Sequence, residues 1–541
     1  MKNYLDIGRA ALRDRAALWA RRRELWDARP RLSPAVVGAF GVVCIYFTLG
    51  VLHAHVMRRY QSGDEPRHVA YAVQLADGAS PKVTDPLPSR KIHYNKPGNM
   101  AAATHPPLYY WYVGPVLDDV PTGQAMDAAV RKARVMTVAL GALALVYIFR
   151  IGRLLFPKKP AVALAMMTLV GTLPIYINTS ALVFNDAMAA LTMCAAFHGA
   201  LRLMVDGPTR WRIGVATFWM ALAAFTRISG FFVVAPGLLL AFVAFIWHYR
   251  GSWARRIALS TALCTGMGLV VLLVSGWFYL RNYRLYGDVT GASAFLPLFK
   301  RKPNAPTWVL ITSIAPWKTF FAHLWVRLAG GVQMFGTVDA AAAVLSIPCL
   351  AGFVKALVHV RRNASELLRD RRMPAFVVGA MTFALMMIAM FMYHSRGGSL
   401  NARYALGVLW VPAVILAIGL ASMRSPGLMQ WILASIVLLT VLTTELYART
   451  VVRKVGGDFA IVAGLRKAHV KEASSAAIVA LGAIGLGLAL LLRAVGQVYR
   501  RIDDELHAPA PAPAPLSVEG SEPADVALPH SERGPAPAPT V

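Results

Sequence analysis

Apolar residues in this chain come in long runs, and a helix that spans a bilayer needs about 20 of them. Roughly twelve such runs can be read, near 34–57, 133–151, 161–178, 185–204, 212–227, 230–247, 257–280, 338–359, 374–394, 404–421, 428–445 and 475–493. The fifth and sixth are short and meet at ThrArgIleSerGly (226–230), so a re-entrant hairpin is an alternative to two spans there. The pattern predicts an all-α polytopic membrane protein. Positive charge orients it: Lys2, Arg9, Arg13, Arg15, Arg21, Arg22, Arg23, Arg29 and Arg31 crowd the first 33 residues, and alternation from a cytoplasmic start puts the basic loops 152–160, 205–211, 248–256 and 361–373 inside. An even number of spans returns the C-terminus to the same side. The first apolar run lies behind a basic arm and is too long for a cleavable signal. The loops 58–132, 281–337 and 446–474 then fall outside, and the Ala/Pro-rich tail at 507–541 is expected to be a disordered cytoplasmic segment after a membrane domain at 34–495.

Composition agrees. Of 541 residues, 57% are hydrophobic and only 15% charged, and the mean hydropathy is +0.51; a soluble chain of this length would carry more charge. The net charge of +29 raises the question of nucleic acid, but the positive-inside bias explains much of it and no aromatic-basic binding module is present, so no nucleic-acid partner is expected. Cys44, Cys194, Cys264 and Cys349 all fall inside predicted spans as small apolar fillers, and no disulfide framework is expected. There is no CxxC, HExxH or Walker loop, which argues against nucleotide hydrolysis as an energy source.

The outer loops carry the candidate chemistry. Asp64 and Glu65 directly follow the first span, ahead of Pro66 and an amphipathic stretch with His68. Adjacent carboxylates at a membrane surface are costly and do nothing for packing, so this pair points to function. Further on, AlaThrHisProProLeuTyrTyrTrp (103–111) combines His105 with a helix from Leu108 whose aromatics, Tyr109 among them, suit a membrane interface. Asn185-Asp186 opens the fourth span, where the acid is either a first-turn residue favoured by the helix dipole or part of a site. The loop after the seventh span begins ArgAsnTyrArgLeuTyrGlyAsp (281–288) and continues with Lys300, Arg301, Lys302, Lys318 and Arg327. Such a surface suits an anionic lipid head, either a polyprenyl phosphate or ordinary phospholipid. Arg403-Tyr404, after HisSerArgGlyGlySerLeuAsn (394–401), reads as a phosphate ligand or as a snorkelling anchor.

Taken in order, AspGluPro-x-His-x-x-Tyr (64–71), HisProProLeuTyrTyr (105–110), AsnAspAla (185–187), ThrArgIleSerGly (226–230), ArgAsnTyr…TyrGlyAsp (281–288) and ArgTyr (403–404) resemble the motifs of the GT-C superfamily of polyprenyl-phosphate-dependent glycosyltransferases. That superfamily includes the protein O-mannosyltransferases and the lipid A aminoarabinose transferase. The resemblance spans roughly residues 34–420 and implies a GT-C-like bundle of about twelve transmembrane helices with outer-face loop helices. It implies a sugar taken from a polyprenyl-phosphate carrier on the outer face of a bacterial inner membrane and transferred, usually with inversion. Asp64 takes the catalytic-base position with Glu65 beside it as helper or substitute, and Asp186 the second acidic position. His68, His105, Tyr109, Arg227, Arg281, Tyr283, Arg403 and Tyr404 take substrate-binding positions, Arg281 and Arg403 holding the donor phosphate.

No cofactor is required by this resemblance and no metal ligand is assigned, although Asp64 and Asp186 can share a divalent Mg or Mn ion as in oligosaccharyltransferase-type relatives. Two departures stand out: Arg227 fills a place where relatives carry a Lys or other basic residue, and the late motif reads AsnAlaArgTyr rather than GlyArgTyr. The short 446–474 segment leaves no room for a large outer domain, which favours a glycan or lipid-linked acceptor, as in modification of lipopolysaccharide or a related envelope polymer. The expected partners are thus the carrier-linked sugar, this acceptor and membrane lipids. A transporter or flippase of a lipid-linked saccharide is the alternative, and a scaffold without activity a third; the acids sit at the outer surface, and no repeated halves are evident.

Overall fold

A computed structural model describes residues 32–325, 369–422, 425–452 and 459–507, with short pieces between 327 and 362. The basic arm at 1–31, most of the run expected at 338–359 with its Cys349, and the tail beyond His507 lie outside the described residues.

The helices, in chain order, are α1 (Pro34–Val56), α2 (Glu65–Ala76), α3 (Leu108–Leu117), α4 (Gly123–Leu155), α5 (Pro160–Gly171), α6 (Pro174–Ser180), α7 (Asp186–Asp206), α8 (Arg210–Thr226), α9 (Phe231–His248), α10 (Trp253–Tyr286), α11 (Ala292–Leu298), α12 (Thr307–Thr312), α13 (Ile314–Trp325), α14 (Met373–Ser395), α15 (Trp410–Ala421), α16 (Pro426–Val452), α17 (Ala460–Lys467) and α18 (Ala473–His507). Short 3-10 turns lie at Ala101–Thr104, Ile228–Gly230 and Ala402–Val408. Arg327–Leu328 and Val332–Gln333 form a two-residue antiparallel pair. Hydroxyl caps start several helices: the side chains of Ser33, Thr122, Thr209 and Ser252 accept the backbone N–H of Val36, Ala125, Arg212 and Arg255.

Among the described residues, eight helices are long and apolar enough to cross a membrane, and ten if each of two bent pairs is one span. The protein is therefore an all-α, multi-pass membrane protein. The expected twelve straight runs differ from this in three places. Two of them are bent, α5 with α6 by 62° and Ala402–Val408 with α15 by 69°, and α8 fills the fifth position with only 17 residues. At 212–247 the structure has two helices joined by a 3-10 turn, the second long enough with that turn to span. The first bend has a chemical cause. Pro174 begins α6 without an N–H to offer, and the Thr172 carbonyl freed at the break accepts the Thr440 hydroxyl of α16 at 3.0 Å.

Burial separates the centre of the bundle from its lipid-facing rim. The span in α7 is 89% buried and that in α10 only 17%, so α7 is the hub, packed against α4, α8 and α9. Small residues allow the close approach: a Cβ added at Gly199 would lie 2.9 Å from Ala216 Cα of α8. The first acidic pair and the start of the hub helix meet at one end of this bundle.

Candidate active site

The segment between α1 and α2 is shaped by one buried ion pair that sequence reading missed. Arg134 on α4 is 1% exposed and Glu65 fully buried. All five guanidinium N–H groups are used: Nε donates to Glu65 Oε1 at 2.8 Å, Nη2 to Glu65 Oε2 at 2.6 Å and to Arg58 O, and Nη1 to the carbonyls of Ala54 and Met57. The Glu65 carboxylate also accepts the backbone N–H groups of Tyr60 and Val183, each at 3.1 Å. Glu65 is thus saturated and closed to substrate. It ties the end of α1 and the start of α2 to the strand of chain that leads into Asn185-Asp186. A signal existed in the sequence, an ionisable residue at the head of the second apolar run.

With Glu65 turned inward, Asp64 turns outward. It occupies the N-cap position of α2 but makes no capping hydrogen bond; instead Oδ2 accepts Arg403 Nη2 at 2.7 Å, while Arg67 Nη1 stands 3.7 Å from Oδ1. Its side chain is 48% exposed. One helical turn on, His68 Nδ1 meets the Tyr110 hydroxyl at 2.8 Å, and its ring stacks on His105 and packs against Phe184. Asp186, the first residue of α7, pairs with Arg227, which sits in extended backbone between α8 and the 3-10 turn. The guanidinium carbons of Arg227 and Arg403 lie 4.7 and 5.2 Å from the Tyr404 ring centroid, and Arg403 also covers Phe184.

These groups line one cavity of about 570 Å³. Its polar lining includes Asp64, His68, His105, Asn185, Asp186, Arg227, Arg403 and Tyr404. Its apolar lining includes Leu385, Met386, Ile388 and Met390 of α14 and Phe295 and Leu296 of α11. Ile388 and Met392 are 42% and 44% exposed, so the apolar lining from α14 continues onto the surface of the bundle. Among the described residues, Arg403 Nε, Asn185 Oδ1 and Ser229 Oγ are buried without a hydrogen-bond partner, and all three residues line the cavity.

Not every residue singled out from sequence comes here. Arg281 Nη2 donates to the carbonyls of Pro81 (2.7 Å) and Ser80, Asn282 reaches Thr104 O, and the Tyr286 hydroxyl accepts Val83 N–H. This motif fastens the first loop to α10, and Arg281 does not line the cavity. Tyr283 is 58% exposed on α10, and Tyr109 is buried against Thr137 at 2.7 Å. Conversely, Arg67, Arg301 and Arg396 do line the cavity.

Electrostatics follow from this packing. Burial pushes the Asp64 carboxyl up, but the charge and hydrogen bond of Arg403, aided by His68 and Arg67, outweigh it and hold Asp64 below its ordinary 3.8. Burial pulls His68 down to about 3 and His105 well below its usual range, so both are neutral imidazoles at pH 7. A depressed carboxyl stabilises the fold fully above its unfolded value and loses that contribution as pH falls through the folded value. The same sign governs chemistry, because Asp64 stays ionised into acid. Replacing Arg403 by Gln leaves only the weaker influence of His68 and Arg67 against burial, and we expect the acid limb of the pH–rate profile to move to higher pH. A limb that stays in place would mean another group controls it.

Among the described residues, no three or more His, Cys, Asp or Glu side chains converge as a metal site. Asp64 and Asp186 are the carboxylates that a divalent ion would use, and each is engaged by an arginine.

Residues 104–279 match the family model described as dolichyl-phosphate-mannose-protein mannosyltransferase. The superfamily resemblance drawn from the motifs therefore has independent support over about a third of the chain. Among solved structures, ArnT from Cupriavidus metallidurans bound to undecaprenyl phosphate aligns with a TM-score of 0.46 and 15% identity over 87% of this chain and 78% of its own. The Archaeoglobus fulgidus oligosaccharyltransferase aligns with 0.41 and 12% over 80% and 56%, and the Saccharomyces cerevisiae (S. cerevisiae) Pmt1-Pmt2 complex bound to the sugar donor with 0.34 and 16% over 48% and 35%. No curated protein matches the sequence.

Proposed function

We propose that this chain is a glycosyltransferase that takes a sugar from a polyprenyl-phosphate carrier and passes it to an envelope glycan or lipid-linked acceptor at the outer face of a bacterial inner membrane. The observation that carries this is the mixed lining of one cavity, which joins carboxylates and arginines to apolar side chains of α14 that reach the surface. A carrier needs both: an apolar path for its isoprenoid chain and cationic donors for its phosphate.

In this reading Arg403 and Arg227, flanking Tyr404, hold the donor phosphate. The acceptor hydroxyl attacks the anomeric carbon from the side opposite the phosphate, and Asp64 takes its proton through Oδ1, the oxygen that Arg403 does not bind. The carbon–oxygen bond to phosphate breaks, its electron pair stays on the phosphate oxygen, and the added negative charge develops beside the two arginines. Attack from that side inverts the anomeric centre. Arg403 also couples the two substrates: a phosphate bound to it shares its charge, loosens its hold on Asp64 and makes that carboxylate a stronger base when donor is present. Glu65 is assigned a positioning role through Arg134, and Asp186 orients Arg227. If a divalent ion takes part, Asp64 and Asp186 are the residues that would hold it, and it would supply further positive charge for the departing phosphate.

The expected result in the source organism is that deletion removes one sugar from an envelope glycan and lets its polyprenyl-phosphate form accumulate, as read by mass spectrometry. Loss of the sugar without accumulation of the carrier form on the outer leaflet would favour transport of a lipid-linked saccharide instead.

A further inference from the structure

Five arginines line the cavity, Arg67, Arg227, Arg301, Arg396 and Arg403, against two carboxylates, Asp64 and Asp186, an excess of three positive charges. Arg227 and Arg403 are paired with the acids. Arg67 donates to Gly63 O and packs over Phe299 at 4.8 Å. The side chains of Arg301 and Arg396 make no hydrogen bond or ion pair among the described residues, although both are at the cavity.

The fold brings these two onto one rim. Asn304 N–H donates to Ser395 O at 2.8 Å and its side-chain amide to His394 O at 2.7 Å, clamping the segment after α11 to the end of α14. Gly397 makes the approach possible: its φ of +95° and the Lys302 carbonyl, only 2.6 Å from where a Cβ would stand, exclude any side chain. Arg301 and Arg396 thus flank this junction on chain segments that touch.

A polyprenyl phosphosugar is a phosphodiester with a single negative charge, which Arg403 and Arg227 already face. Two further unpaired arginines on one rim call for a second oxyanion. We infer that Arg301 and Arg396 bind a phosphate or carboxylate group on the acceptor, so that the enzyme selects an anionic glycan or glycolipid. This rests on reading the cavity as a site of sugar transfer.

The test uses the full chain in phosphatidylcholine nanodiscs and three soluble probes, glucose, glucose 6-phosphate and glucuronate, each titrated with and without saturating farnesyl phosphate. Glucose 6-phosphate or glucuronate is expected to bind about tenfold more tightly than glucose, also when farnesyl phosphate is present. Whichever of the two is preferred identifies the oxyanion. In Arg301→Gln/Arg396→Gln that advantage should vanish while farnesyl phosphate still binds; both side chains are exposed, and retained farnesyl phosphate binding certifies the fold. No advantage over glucose, an advantage that survives in the double variant, or displacement of the sugar anion by farnesyl phosphate would overturn the proposal, the last by assigning the arginines to the donor. Failure of farnesyl phosphate to bind while the advantage persists would refute the donor reading and leave the anion site standing.

Discussion

Asp64→Asn is expected to slow sugar transfer by about a hundredfold or more, the range for removing a positioned general base, while leaving the protein folded. The substitution keeps the shape of the side chain, and its amide oxygen can still accept the Arg403 hydrogen bond that now measures 2.7 Å. The Asp64 side chain is half exposed, so its own charge is well solvated and its loss should cost little stability. What disappears is the capacity to take a proton from the acceptor. The comparison that reads this is the rate of donor consumption by purified wild-type and variant protein, with the thermal midpoint of each as control. A variant with wild-type rate would move the base elsewhere, and Asp186 would be the next candidate.

The second large effect is on the clamp behind the site. Arg134→Met removes what is, among the described residues, the only cation paired with the fully buried Glu65 and leaves three carbonyls near the end of α1 without their donors. Breaking such a pair costs about 3–5 kcal/mol, so the thermal midpoint in detergent should fall sharply. Activity should fall with it, because Glu65 also holds Val183 N–H, two residues before Asn185. The double variant Arg134→Met/Glu65→Met removes the stranded charge and should recover part of the stability but not the activity, since the connection between the two acidic segments is gone. An unchanged midpoint in Arg134→Met would show that the pair does not hold this end of the bundle.

Much of this was legible in the chain, for a physical reason: a bilayer allows few structures, and apolar runs of spanning length reveal them. Asp64 stood out because a carboxylate at the end of a span has no packing role. What escaped depends on contacts between distant segments. Asp64 and Glu65 are adjacent and chemically alike, yet one faces the cavity and the other is locked by Arg134, 69 residues away. The Arg281 motif looked like a phosphate ligand, and only the fold shows its donors spent on the Ser80 and Pro81 carbonyls. Arg301 and Arg396 were indistinguishable from other basic loop residues until Asn304 and Gly397 brought their segments together. The bends at Pro174 and at the Ala402–Val408 turn were hidden because hydropathy measures length and not direction.

Phosphorus NMR of the purified full chain would show whether this cavity breaks the bond between a sugar and a polyprenyl phosphate. The sample would hold a short-chain polyprenyl-phosphate sugar and an extract of envelope glycolipids as acceptor. With wild-type protein the phosphodiester signal should be converted to a phosphomonoester, only when acceptor is present, and far more slowly with Asp64→Asn. A phosphodiester that stays intact across a panel of carrier-linked sugars, with wild-type protein folded and acceptor supplied, would contradict the proposed transfer.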